Sequence, residues 1–442
     1  MAYSSVSDEL QEEFNPKKEE KEGTIREFAD IEETICSPAQ RHPKPDVSTL
    51  VFGKYFTDHM LEIPWEAEKG WAKPVISPMH DLKIHPGAKV LHYAIELFEG
   101  MKAYRGEDGR LRLFRPDRNM ERMLNTSLRA SLPGFDTQEM IKCIKRLVQV
   151  DRDWIPHSTT SPASLYIRPT FIATDPSLGV ASPKHALMYV ILCPVGSYFA
   201  SGLKPVSLMA DPQYVRSWPG GCGAAKMGAN YAPTIEIQKR SEILGHQQVL
   251  WLYGNDHKLT EVGTMNIFVY LINKKGEREL ITPPLDGLIL PGVTRLSLLE
   301  LAREWKEFHV TERSINMAEV LEALKENRLL EIFGAGTACV VCPVFSIIFG
   351  EVSLVVLTHL KRLFLCICVI TFFLKALVQS YLSVVCHPSS WIFLILCRGH
   401  ASSFRDTPND STSCDSNKRT LGDQHIKVWD DSSRGRSSIQ SF

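Results

Sequence analysis

Lys226 stands in Gly220-Gly221-Cys222-Gly223-Ala224-Ala225-Lys226-Met227-Gly228-Ala229-Asn230-Tyr231, framed by glycines and alanines. So little side-chain bulk lets a planar ligand approach the backbone closely. An amine drawn partly out of water loses its proton more readily and becomes a nucleophile able to form a Schiff base with an aldehyde. From this window alone a solvated loop lysine is the commoner reading, so the other groups decide.

Two segments could cradle a phosphate. Leu290-Pro291-Gly292-Val293-Thr294 runs into an amphipathic stretch, where the first free amides of a helix attract an anion. Gly334-Ala335-Gly336-Thr337-Ala338 follows a predicted strand and offers a hydroxyl. Glu261, in Leu259-Thr260-Glu261-Val262-Gly263-Thr264, is a carboxylate beside a glycine that permits close approach. Lysine, phosphate cradle and carboxylate are what pyridoxal phosphate requires: an amine to hold it, an anion site, and an acid partner for its ring nitrogen.

These residues need a frame. Alternation predicts strands at 111–114, 164–173 and 186–193. Helical spacing joins Met120, Met123, Leu124 and Leu128, and again Met140, Ile141, Ile144, Leu147 and Val148, the second run opening on a capping box of Asp136 and Glu139. After a connector at 196–206, the pattern predicts a helix over 233–244 and a strand over 249–253, then a long strand through Ile272. Helices near 294–305 and 317–326 precede a strand at 329–333. Strands and helices are grouped rather than strictly alternating, which predicts α+β domains: a small one at 46–195 and a large one at 207–344. Residues 1–45, charged and proline-marked, read as a disordered leader.

The chain of 442 residues is 44% hydrophobic and 23% charged, with net charge −1, so nothing marks it for nucleic acid. Its start lacks the apolar core of a secretory signal and carries acids that mitochondrial presequences avoid, which predicts the cytosol. Eleven cysteines are then expected as free thiols. Cys339-Val340-Val341-Cys342 lacks two further ligands at zinc-site spacing, so no metal is expected.

Together the segments resemble the branched-chain aminotransferases, a fold-type-IV pyridoxal-phosphate family with the cofactor between two domains. The resemblance runs from about Asp46 to Val344. It is carried by Leu91-His92-Tyr93, by Leu97-Phe98-Glu99-Gly100-Met101-Lys102-Ala103-Tyr104, and by Leu113-Phe114-Arg115-Pro116 with Arg122-Met123-Leu124. Tyr166-Ile167-Arg168-Pro169, Pro176-Ser177-Leu178-Gly179-Val180 and Ile191-Leu192-Cys193-Pro194-Val195-Gly196 continue it, with the lysine, glutamate and glycine-turn segments above.

The resemblance implies that Lys226 holds the cofactor and shuttles a proton, and that Tyr231 bonds its phenolic oxygen. Glu261 would pair with the ring nitrogen, while Arg216 shapes that site. Arg122, Val293, Thr294 and Thr337 would bind the phosphate. Thr264 and Ala338 would receive the substrate carboxylate. Tyr93, Phe98, Tyr166, Leu178, Val180 and Tyr198 would wall an apolar pocket, with Arg168 taking the second carboxylate of glutamate. It further implies a redox pair at Cys339 and Cys342, and a homodimer in which Tyr93, Leu178 and Val180 serve the partner's site. The expected reaction transfers the amino group of leucine, isoleucine or valine to 2-oxoglutarate. A D-amino-acid aminotransferase or an aminodeoxychorismate lyase would share the lysine and glutamate, but Tyr166–Arg168 and Leu178–Val180 argue against both.

Past Val344 the family pattern stops, and 345–442 reads as a divergent tail, first apolar and then polar. The run 363–385 has the length of a membrane span, but Lys375 in its middle would cost about 3 kcal/mol, so insertion is not the favoured reading. The tail motivates one alternative: a non-catalytic, poorly folded or membrane-associated isoform.

Overall fold

The computed structural model describes residues 28–106, 108–156, 163–196 and 205–356, together with the backbone of a short strand at Val428–Asp430. Two sheets organise it: the first is built from strands before the 196–206 connector, with Val428–Asp430 added on Leu111–Phe114, and the second from strands after it.

The first sheet is centred on Ser164–Ala173, buried along almost its whole length and paired antiparallel with His185–Val195. His59–Glu66 and Val75–Pro78 extend it on one side, Met101–Arg105 and Leu111–Phe114 on the other, and Glu96–Phe98 pairs separately with Ser164–Ala173. Two helices, Pro116–Arg129 and Thr137–Val150, belong to this half. Pro116 occupies the first turn of one, where its missing N–H costs nothing. The other is capped by the Asp136 carboxylate, which accepts the amides of Gln138 and Glu139. Most of the helical spacing seen in the sequence is the buried face: Met120, Met123, Met140, Ile144 and Leu147 join Leu61, Ile63, Leu97 and Leu113 in one core, whereas Leu124 is only partly buried and Leu128, expected on that face, is 49% exposed. Each such side chain contributes about 1.5–3 kcal/mol on burial.

The second sheet closes on itself. Its order is Lys258–Val262, Gln248–Tyr253, Val206–Ala210, Val340–Phe349, Leu329–Gly336 and Met265–Ile272, the last pairing back to the first. Arg278–Thr282 and His309–Glu312 extend it outward. Leu208, Leu250, Ile267, Ile332 and Val344 belong to one core, while helix Val293–Trp305 packs on a second with Phe268 and Phe333. Strands and helices are thus grouped, as α+β predicts.

Three expectations change. The segment 28–45, read as part of a disordered leader, is built onto the first sheet: Glu32–Glu33 pairs parallel with Val75 and Ile76, and the Cys36 amide donates to His59 Nε2 at 2.9 Å. The single long strand through Ile272 is a hairpin, because Gly263, at φ 54°, turns the chain so that Val262 pairs with Met265. The supposed boundary at Val344 falls inside Val340–Phe349, which runs parallel to Val206–Ala210 and returns as Val352–Val355. Tyr198 and the run 363–385 lie outside the described residues. Among the described residues no helix is long and apolar enough to cross a membrane.

Candidate active site

The lysine loop is clamped between the halves. The Phe98 amide donates to the Lys226 carbonyl at 3.1 Å, and Leu97 pairs with Met227. From the same half, on helix Pro116–Arg129, Thr126 Oγ1 accepts the Lys226 amide at 3.1 Å. The Asn230 side chain ties the loop back through the Cys222 and Ala225 carbonyls, at 2.7 and 2.8 Å. Gly223 is required by space: an added Cβ would lie 2.7 Å from the carbonyls of Gly287 and Leu288.

Lys226 Nζ donates to the Tyr231 hydroxyl at 2.9 Å and sits 4.5 Å from the centre of the Phe98 ring. Phe98 and Tyr231 pack ring to ring at 4.9 Å. On the Phe98 ring also rests the Arg168 guanidinium, at 4.7 Å, and Arg168 donates to the Tyr166 hydroxyl at 3.2 Å. The family resemblance implied these five residues in one site, and the structure makes them one chain of contacts.

A second group gathers on the loop 288–292. Glu261 is buried; its Oε1 accepts the Leu290 amide at 2.7 Å and its Oε2 meets Arg216 Nε at 2.9 Å. Burial pushes the Glu261 carboxyl up, against the pull of Arg216 and the Leu290 amide. Arg216 also reaches the Leu288 carbonyl, and Arg122 donates to that of Pro291 at 3.0 Å. Gly292 then starts helix Val293–Trp305 with no side-chain cap, and among the described residues no side chain accepts the Val293 and Thr294 amides. Its missing Cβ leaves room for the Asn266 side-chain oxygen.

Thr337, Ala338 and Cys339 form the turn between Leu329–Gly336 and Val340–Phe349. The Ala338 carbonyl accepts from Lys102 Nζ at 2.8 Å, a buried amine that burial pushes down to about 8. The turn lies against the Gly263-Thr264 hairpin: Cys339 Sγ is 3.0 Å from Met265 Sδ, and a Cβ on Gly336 would sit 3.8 Å from the Thr264 carbonyl. Cys339 and Cys342 are free thiols, and burial pushes Cys339 up to about 12 and Cys342 upward as well.

Tyr93, Leu178 and Val180 form a group of their own. The Tyr93 hydroxyl donates to the Leu178 carbonyl, the buried Lys89 amine holds the carbonyls of Gly179 and Ala181, and Leu178 and Val180 are 63% and 81% exposed. Sequence reasoning missed Glu99, Lys102, Thr126 and Asn266 as site residues. The signal for the first two was a charge set among apolar neighbours in 97–104.

These residues fit a phosphate-bearing pyridine aldehyde: a lysine amine beside a phenol, a buried carboxylate, and an uncapped helix start. Residues 96–347 match the family described as amino-transferase class IV, and the chain belongs to that family, whose members are pyridoxal-phosphate enzymes. Within it, the chain is 59% identical over 307 residues to the cytosolic branched-chain-amino-acid aminotransferase of Rattus norvegicus, covering 69% of this chain and 74% of that one. The mitochondrial branched-chain-amino-acid aminotransferase of Bos taurus is 57% identical over 310 residues, covering 70% of this chain and 78% of its own. The fold is that of a Thermoproteus uzoniensis branched-chain aminotransferase, at TM-score 0.56 and 22% identity over 72% of this chain and 95% of that one.

Proposed function

We propose that the chain is a branched-chain amino-acid transaminase, moving the amino group of leucine, isoleucine or valine to 2-oxoglutarate, with Lys226 as its catalytic residue. The observation that carries this is the Lys226 amine, hydrogen-bonded to Tyr231 and shielded by Phe98 where the two halves meet. When bound, pyridoxal phosphate supplies an aldehyde for the amine and a ring that withdraws electrons from the substrate α-carbon.

The protein's own groups do the rest. Lys226 Nζ holds and moves the α-proton, and the Tyr231 hydroxyl orients that nitrogen. Glu261, fixed by Arg216 and the Leu290 amide, presents a carboxylate to the ring nitrogen. Arg122, the Val293 and Thr294 amides and the Thr337 hydroxyl bind the phosphate. Thr264 and Ala338 receive the α-carboxylate on two turns that lie together, and Lys102 fixes the second of them.

One pocket must accept an apolar side chain and then an acid. Phe98 and Tyr166 supply apolar walls, and Arg168, stacked on both rings, supplies a charge-assisted partner for the acid alone. Tyr198 is proposed as a further apolar residue of the site, and Tyr93, Leu178 and Val180 as walls given to a partner's pocket. The exposure of Leu178 and Val180 supports a homodimer in which that group faces the partner's pocket. A cytosolic location is supported by the cytosolic relative, although the mitochondrial one matches nearly as well. Cys339 and Cys342 are proposed as a redox pair acting on the Thr337–Ala338 turn. The non-catalytic alternative finds no support in the comparisons.

The test is turnover of L-leucine with 2-oxoglutarate. Release of the branched 2-oxo acid with one glutamate per turnover is expected. Turnover of D-alanine in place of L-leucine would overturn the assignment.

A further inference from the structure

Glu96 lies beside the lysine loop, at Gly228. It lies on Glu96–Phe98, opposite Ile172, with Phe98 opposite Thr170. Strand alternation puts Glu96, Phe98, Arg168 and Thr170 on one face, continued by Tyr189, which pairs with Thr170. That face is the wall on which Arg168 stacks over the Phe98 ring at 4.7 Å.

The Glu96 carboxyl lies over the backbone of Gly228, two residues past Lys226, where only a glycine leaves it room. Among the described residues no hydrogen bond or ion pair engages this carboxyl. Burial pushes it up and the Arg168 charge pulls it back. Arg168 is incompletely satisfied too: among the described residues its buried Nε has no partner, and its terminal nitrogen donates to the Tyr166 hydroxyl. A half-buried acid and a half-satisfied guanidinium thus face one space beside the reactive amine.

We infer that Glu96 is a specificity-determining residue: its carboxylate is the counter-charge of Arg168 in the empty pocket, with which an incoming second carboxylate must compete. This rests on the reading of Arg168 as the acceptor of that carboxylate. An apolar side chain brings no charge and is indifferent to Glu96. An acid feels a like charge beside the guanidinium it seeks, which weakens its binding and lets both substrate classes share the pocket.

The test is calorimetric binding of two saturated acids to the holoenzyme: glutarate, with two carboxylates, and 4-methylvalerate, with one. Glu96→Gln is expected to tighten glutarate roughly tenfold, as removal of one screened like charge should, and to leave 4-methylvalerate within about twofold. Glu96→Asp, which keeps the charge, should stay near the parent protein. If Glu96→Gln fails to fold, Glu96→Ser carries the same test, with the holoenzyme absorbance spectrum reporting an intact site. Weaker glutarate binding in the variant, or equal changes for both acids, would overturn the inference alone. A parent holoenzyme that binds neither acid would overturn the transaminase reading, and this inference with it.

Discussion

Glu99 and Arg122 form a two-pronged ion pair in the interior, with Nε to Oε1 at 2.7 Å and NH2 to Oε2 at 2.9 Å. The Asn119 amide adds a third donor to the carboxylate at 2.8 Å. The pair leaves the remaining arm of Arg122 on the Pro291 carbonyl, at the entrance to the proposed phosphate site. Burial alone would push the Glu99 carboxyl up; the Arg122 charge and its hydrogen bonds overcome this and hold it below its ordinary value.

Glu99→Gln should therefore be costly, because it leaves a buried guanidinium without its charge partner, at about 3 kcal/mol. The urea midpoint measures the loss. A native carboxyl held below its unfolded value contributes stability that is full above the ordinary carboxylate range and fades as pH falls through the native value. The gap between parent and variant should thus be constant near neutrality and shrink below about pH 4.

Tyr231→Phe keeps the ring against Phe98 but removes the hydroxyl 2.9 Å from Lys226 Nζ. The expected outcome is a fall of about tenfold in kcat for leucine, with little change in thermal stability. Steady-state kinetics beside a melting curve check both halves, and an unchanged kcat would remove Tyr231 from the machinery.

Gly292→Ala tests the helix-start cradle. Gly292 has φ −70°, so its backbone would accept alanine, and the conflict is chiefly with the Asn266 side-chain oxygen, with a tight contact to Arg295 Cβ at 3.3 Å. Asn266 in turn donates to the Leu290 carbonyl at 2.8 Å, so the displacement reaches the loop that holds Glu261. Titration of apoenzyme with pyridoxal phosphate should show affinity weakened roughly tenfold or more, alongside an overpacking cost of about 1–3 kcal/mol.

The two thiols are held protonated by burial, so oxidation should be slow in the native protein. Peroxide is expected to inactivate gradually, with recovery on adding dithiothreitol, and this response should vanish in Cys339→Ser. Sensitivity that survives in that variant would take the pair out of the regulation.

The elements read correctly from the sequence were those whose own residues specify them. Thr137–Val150 has its apolar stripe and its Asp136 cap within one segment, and Ser164–Ala173 its continuous apolar run. The glycine and alanine frame of Lys226 is local and marked it as a candidate, but its role was legible only together with the distant segments that carry the family resemblance. The Gly263-Thr264 turn was not, since it interrupts an apolar run without an Asn-Gly signature. Lys102 was opaque for a different reason: its acceptor, Ala338, is 236 residues downstream, a pairing that only the tertiary fold creates. Residues 28–45 were misread because charge composition measures the apolar surface a segment can bury. It does not register backbone pairing of the kind Glu32 and Glu33 make at the sheet edge.

The central claim is that the Lys226 amine carries the cofactor. Borohydride reduction of the holoenzyme followed by peptide mapping tests it most directly. The pyridoxyl mass is predicted on the peptide containing Lys226 and absent from Lys226→Ala. Its appearance on another lysine, or on none in a protein that is folded and active, would contradict the account.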